Sequence, residues 1–327
     1  MDNRNIPEVS VIMPVYNGQA YIDRGIKAVL QQSLYNIELI VVDDGSTDET
    51  ATICDQLAQG DDRVIVLHEQ HNGVASARQA GINLMRGKYS IHLDSDDYYD
   101  STMLEMLLTC AEKEHSDMVI CDWEAQDEHC NSYQSQKPTD FTREAVANDI
   151  ISGKIHGSLW NKLIKTSIIK VNDIAFRTEL KMREDMFFVL DVLLHVSKIS
   201  YLPISLYTYI RMQNKTSLTQ NYTADAKNFY SQEIIFHSWI LRYPLLSDNL
   251  LKNMREQLLN DAYTTLVDNI FDSKEWRRLL IPYREELLHA SNSKPNRCLV
   301  VMALDFSYEI AQKMSRILEF LRLKKRR

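Results

Sequence analysis

The run His92-Leu93-Asp94-Ser95-Asp96-Asp97 sets acids two residues apart where a short apolar stretch gives way to loop. Side chains two apart on a strand point to one face, so Asp94 and Asp96 present two carboxylates to one spot. Such groups repel unless a cation lies between them, and hard oxygen donors suit Mg2+ or Mn2+. An ion held this way can grip a diphosphate. A second acidic pair, Glu184-Asp185, opens an apolar segment of helical period reaching Val196. A helix N-terminus stabilises an ionised carboxylate, which is the form that takes a proton. First-turn acids also serve helix-dipole complementation alone, and acidic surface loops are common. Neither pair is therefore informative until the rest of the chain brings other chemistry to it.

The chain that must position them has 327 residues and 45% apolar content, enough for one large domain or two smaller ones. Its five cysteines are widely spaced with no Cys-x-x-Cys, which argues against zinc knuckles and disulfide frameworks and for a reducing cytoplasm. The first residues carry no signal-peptide core, and no apolar run approaches the ~20 residues that span a bilayer. The net charge is −8 although five of the last six residues are basic, so the remainder is more acidic still. An acidic body excludes nucleic acid as a partner drawn in by a general field. The basic end suits an anionic membrane surface.

Apolar, β-branched runs predict strands over Val9–Val15, Glu38–Val42, Val64–His68, Ser90–Leu93 and Asp117–Cys121. Helical periodicity predicts helices over Ala20–Gln32, Asp48–Ala58, Val74–Met85 and Met103–His115. This alternation argues for a parallel α/β sheet, whose ligands sit outside the carboxyl ends of its strands. Pro14-Val15-Tyr16-Asn17, Asp43-Asp44-Gly45-Ser46 and the Asp94 run all fall there. Ser46-Thr47-Asp48-Glu49 has capping-box spacing, and Gly73 marks a helix start. Residues 124–145 are polar and irregular and read as a loop or insertion. From Ala224 onward the pattern is helical almost throughout.

Motif absences narrow the class: no dinucleotide-binding glycine fingerprint, P-loop or nucleophile elbow appears, and Tyr99 stands where an EF-hand needs glycine. Four ordered blocks remain: Val-Ser-Val-Ile-Met-Pro-Val-Tyr-Asn at 9–17, Ile-Val-Val-Asp-Asp-Gly-Ser-Thr-Asp at 40–48, Asn-Gly-Val-Ala-Ser-Ala-Arg at 72–78, and Leu-Asp-Ser-Asp-Asp at 93–97. Together they resemble family 2 inverting glycosyltransferases of the GT-A fold, of the bacterial surface-polysaccharide type. The resemblance covers residues 8–123, is looser to about 220, and does not extend beyond. It implies a Rossmann-like, mostly parallel sheet flanked by helices, then a helical C-terminal region. The expected divisions are a nucleotide-sugar half at 1–123, an acceptor and catalytic half at 124–223, and a helical region with a basic amphipathic tail at 224–327.

Residue by residue, Pro14, Val15 and Tyr16, with Asn17, can form an apolar and partly aromatic bed for uracil, and Tyr16 can equally cap the core. The Asp44 carboxylate can accept a hydrogen bond from the uracil imide. The resemblance assigns Arg78 to the uracil carbonyl, Asp94 with Ser95 to the donor ribose, Asp96 to Mn2+ or Mg2+, and Asp185 to the catalytic base. Arg183 stands where the family often has glycine. Trp160 and Lys162 resemble a stretch bordering the acceptor pocket, with Lys162 and Arg211 as phosphate contacts and Glu184 as partner to Asp185. A buried tryptophan with a snorkelling lysine is the plainer reading.

The implied reaction is inverting transfer from a UDP-sugar to a hydroxyl of a saccharide, free or lipid-linked, in capsule, exopolysaccharide or other cell-surface glycan synthesis. The enzyme would be a hexosyltransferase or N-acetylhexosaminyltransferase, cytoplasmic or peripheral on the inner face of the plasma membrane. Phe306, Ile310, Met314, Ile317 and Leu321 at helical spacing before the basic end suit an interfacial helix, or one packed on protein. Two other classes stay open: a nucleotidyltransferase, and a catalytically silent sugar-nucleotide-binding relative.

Overall fold

Continuous burial defines the first two strands, since all seven residues of β1 (Val9–Val15) and of β2 (Ile37–Asp43) are buried. Parallel strands covered on both faces read this way. The computed structural model describes residues 6–127, 130–210, 225–290 and 294–325, with side chains to 322. The chain forms two compact units, residues 1–213 and 214–327.

In the first unit, β1, β2, β3 (Val64–His68) and β4 (Tyr89–His92) pair in parallel in the order β3-β2-β1-β4. Helices α1 (Ile22–Leu30), α2 (Thr50–Gly60) and α3 (Val74–Leu84) connect them. Then follow β5 (Tyr98–Tyr99), α4 (Met103–Glu114), β6 (Met118–Gln126), β7 (Asn131–Gln134), α5 (Arg143–Ile151), β8 (Lys162–Lys165), α6 (Thr166–Val171), α7 (Glu184–Leu193) and β9 (Ile199–Ile210). The sheet continues β4-β8-β6-β9-β5, with β7 beside β6. Because β8 is antiparallel to both β4 and β6, while β9 is parallel to β6, the strands β6 and β9 run with the first four. This is the mostly parallel α/β sheet that the alternation predicts. Close packing of α3 on β1 depends on Gly81, where a Cβ would stand 2.5 Å from a methyl of Ile12.

Two sequence expectations need correction. Residues 124–145 are not simply a loop: the end of β6 and β7 form an antiparallel pair, Gln126 opposite Asn131 and Trp123 opposite Gln134, and α5 starts at Arg143. Its polar text is satisfied internally, because buried Asp122 accepts the Tyr133 and Tyr201 hydroxyls and the Gln136 N–H. A boundary at 123/124 thus falls inside β6. The capping box at 46–49 does not form. Ser46 Oγ instead accepts the Asn17 N–H at 2.8 Å, and α2 begins at Thr50 without a side-chain cap.

The second unit is helical, as its sequence period predicts: α8 (Ala226–Ile240), α9 (Asp248–Val267), α10 (Ser273–Leu280), α11 (Arg284–His289), α12 (Lys294–Asp305) and α13 (Tyr308–Lys325). Its core gathers Leu258, Leu259, Leu266, Phe271, Trp276 and Val300. The buried Trp276 indole donates to Thr265 Oγ1 at 3.0 Å, so the one polar atom of that ring is satisfied. Among the described residues no helix is long and apolar enough to cross a membrane.

Candidate active site at the carboxyl ends of the strands

Parallel pairing sets Val15 beside Asp43 and Asp43 beside His68, so the loops leaving β1, β2 and β3 emerge as neighbours. Asn17 ties the first two together: its side-chain oxygen accepts the Thr47 N–H at 2.8 Å, and its own backbone takes a positive φ of 49°. Asp44 ties the second to the third. Its buried carboxylate receives the backbone N–H groups of Asn72 and Gly73, each at 2.9 Å, and His71 Nδ1 lies 2.9 Å away. A carboxylate has about four lone-pair sites, and these contacts use three of them. The expected apolar bed is rearranged. Pro14 and Val15 are buried in the strand end, while Tyr16 is exposed and stacks on His71 with ring centroids 4.0 Å apart.

Arg78, on α3, joins the two acidic groups. One guanidinium nitrogen donates to Glu184 Oε1 at 2.7 Å and the other to Asp94 Oδ1 at 3.0 Å. Two of its five N–H donors thus serve carboxylates, a pairing that the uracil contact expected of Arg78 did not include. Burial disfavours its charge, but Asp94, Glu184 and Asp185 outweigh that and raise its pKa above the ordinary arginine value. Asp185 accepts the Met186 N–H at 2.7 Å at the first turn of α7. Burial raises the pKa of both Glu184 and Asp185, and Arg78 opposes the rise in each. Before them Arg183 has φ 60° and ψ 21°, the left-handed geometry that glycine adopts freely.

Beside Asp94, the pKa of Asp96 is raised, first by lost hydration and then by the Asp94 charge. A divalent cation relieves that repulsion, and hard carboxylate oxygens are fitting donors. Among the described residues no group of three or more His, Cys, Asp or Glu side chains could hold a metal ion. Asp97 faces inward, accepting the Tyr207 hydroxyl at 2.5 Å and the Ile210 N–H at 2.8 Å. Burial and the neighbouring acids push its pKa up to about 8.

Two expected contacts lie in the interior. Lys162 has no exposed surface, and its ammonium donates to the carbonyls of His156 and Ser158 and to Asn161 Oδ1, all at 2.7 Å. Burial pushes its pKa down to about 7, whereas the Asp185 charge and three well-placed acceptors favour the ammonium. All three protons are used within the chain, so the phosphate contact is not formed. Trp160 is buried and stacks on Tyr207 at 4.3 Å instead of lining an open pocket. Arg211 lies outside the described residues.

The profile of glycosyl transferase family 2 matches residues 10–170. The putative glycosyltransferase EpsH of Bacillus subtilis is 31% identical over 282 residues, covering 83% of this chain and 78% of that protein. This chain belongs to glycosyltransferase family 2. Two solved structures extend the likeness to nearly the whole chain. TarS 1–349 of S. aureus, in complex with UDP-GlcNAc, matches with a TM-score of 0.67 at 20% identity, covering 94% of this chain and 90% of that one. The mannosyltransferase PcManGT of Pyrobaculum calidifontis, in complex with GDP-Man and Mn2+, matches at 0.55 and 18%, covering 97% and 89%. At such identity the likeness concerns the fold, which is the expected GT-A-like sheet followed by helices.

Within this family 2 glycosyltransferase, sequence reasoning missed His71 and the inward role of Asp97. Tyr16 and His71 stand on the loops after β1 and β3, and only the folded sheet brings them together. Asp97 differs from its neighbours through β5, whose residues Tyr98 and Tyr99 pair with Thr208 and Tyr207 of β9. Two residues are too short for any periodicity to announce.

Proposed function

We propose that this glycosyltransferase moves a hexosyl or N-acetylhexosaminyl group from a UDP-sugar to a saccharide hydroxyl, with inversion, in assembly of a cell-surface glycan. The observation that carries this reading is the Arg78 bridge, which joins Asp94 on the donor side to Glu184 beside Asp185. Donor site and base thereby share one electrostatic unit. The UDP-GlcNAc held by TarS supports a uridine donor, and the Mn2+ of the mannosyltransferase supports a divalent ion.

In this reading the strands and loops up to β6 hold the donor, and the part after β6, with the start of α7, supplies the base and acceptor surface. Tyr16 and Asn17 cover the base, and a lone pair of Asp44 takes the uracil imide N–H. Asp94 and Ser95 lie along the ribose, and Asp96 holds Mn2+ or Mg2+ together with the diphosphate. When bound, the ion supplies positive charge at the diphosphate. Asp185, ionised, removes the acceptor proton as the hydroxyl attacks the anomeric carbon from the face opposite the leaving group. Arg78 holds Glu184 and Asp94 in fixed relation to that carboxylate. The acceptor is a saccharide carried on lipid at the inner face of the plasma membrane, where the exposed face of α13 and the basic end attach the protein.

A screen of UDP- and GDP-sugars with Mn2+ tests the donor class. UDP-sugars should release nucleotide in the presence of Mn2+ and cease to do so in EDTA, and Asp96→Ala should lose UDP affinity. Equal turnover of GDP-sugars would overturn the uridine assignment. Absence of any nucleotide release would favour a silent sugar-nucleotide binder.

A further inference from the structure

Helix α1 is fitted closely to the loop carrying Asp96. A Cβ at Gly25 would stand 2.7 Å from the Ser95 carbonyl oxygen, so the helix backbone approaches the loop backbone only because residue 25 has no side chain. The Tyr99 hydroxyl donates to the Gly25 carbonyl at 2.9 Å. Arg24 donates from one terminal nitrogen to the Asp96 carbonyl at 2.6 Å and from the other to the Tyr98 hydroxyl at 2.7 Å. Its guanidinium carbon lies 4.0 Å from the centre of the Tyr98 ring. The far side of the same loop is held by β9, through the pairing of Tyr98 and Tyr99 and through Asp97.

We propose that Arg24 is a positioning residue, holding the loop so that Asp96 meets the metal and diphosphate in one orientation. The inference rests on the role proposed for Asp96. Its physical basis is that a site with few protein ligands gains affinity only if the ligand it has is already in place. Three of the loop's four residues, 94 to 97, are acids that repel one another, and a fixed cation bonded to its backbone opposes their spreading. Arginine suits this place because its planar fork serves two acceptors while its face covers an aromatic ring, which lysine cannot reproduce. The role differs from core packing, since α1 is anchored by Ile22, Ile26 and Val29 on its buried face.

The test uses the full chain as wild type, Arg24→Met and Arg24→Lys, with thermal midpoints recorded for each. UDP affinity is measured by calorimetry in Mn2+ and in EDTA, and donor KM and kcat are measured alongside. Arg24→Met should weaken UDP about tenfold in Mn2+, the scale of losing a charge-assisted hydrogen bond, and leave affinity in EDTA unchanged. Donor KM should rise while kcat stays within about threefold, and Arg24→Lys should recover part of the loss because it keeps the charge and one bond. Unchanged affinity of both variants in Mn2+, with an EDTA-sensitive wild type, would overturn the role of Arg24 alone. Equal losses in Mn2+ and EDTA would also overturn it, in favour of a direct nucleotide contact or general loosening. A wild type indifferent to EDTA would remove the Asp96 reading, and this inference with it.

Discussion

Asp185, as the base of the proposed reaction, combines two conditions that pull apart. A base must be ionised, yet burial raises its pKa, with Arg78 and Lys162 drawing it back. A carboxyl with a raised pKa stays protonated to a higher pH, so activity is lost on the acid side earlier than an ordinary aspartate would lose it. The acid limb of kcat/KM should therefore lie above the usual aspartate range near 3.9. Asp185→Asn keeps the size and removes the basic lone pair. UDP affinity should stay within about threefold, while sugar transfer falls at least ~100-fold. Near wild-type transfer by that variant would reduce the acidic pair to a helix start. At this scale the sequence pointed to Asp94 and Glu184, which the structure brings together on Arg78. It misread Lys162 and Trp160, because burial depends on what packs above a residue and not on its type. Arg24 gave no signal beyond its neighbour Gly25, a glycine inside a helix.

Elements act on one another chiefly through Arg78, which links α3, the end of β4 and the start of α7. Removing one partner of a buried ion pair leaves the others uncompensated, a loss of about 3–5 kcal/mol. Arg78→Met should destabilise the chain on that scale in denaturant unfolding, and Glu184→Gln added to it should restore part of the loss. Strict additivity of the two changes would show that no coupling exists. The order of β1 to β4 was readable because strands buried on both faces give unbroken apolar runs bounded by turn residues. Residues 124–145 were not, because the partner of Tyr133 and of the Gln136 N–H is Asp122, more than ten residues away in sequence. Ser46 shows the same limit on a smaller scale: capping-box spacing is local, whereas its actual partner, Asn17, is 29 residues away in sequence.

The whole molecule carries one surface that its donor chemistry does not account for. Phe306, Ile310, Met314, Ile317 and Leu321 are 81%, 57%, 46%, 60% and 52% exposed, while Tyr308, Ala311 and Ser315 on the other face of α13 are buried. The stripe leads into Lys324, Lys325, Arg326 and Arg327 in the sequence. Apolar insertion and basic attraction are each weak anchors, so together they should give binding that depends on both lipid charge and salt. The basic residues that follow the stripe in sequence favour an anionic surface as the occupant. The full chain should float with vesicles of phosphatidylcholine and phosphatidylglycerol, and not with phosphatidylcholine alone. Raising salt from about 0.1 M to 1 M shortens the screening length from ~10 Å to ~3 Å and should release it. Ile310→Glu with Ile317→Glu should abolish flotation and leave donor hydrolysis intact, because neither residue lies among those assigned to the donor. Flotation indifferent to lipid charge would count against the electrostatic part. If the double variant instead converted a dimer to a monomer, with no vesicle binding by the wild type, the stripe would be a contact between copies, and delivery to a lipid-linked acceptor would need another anchor.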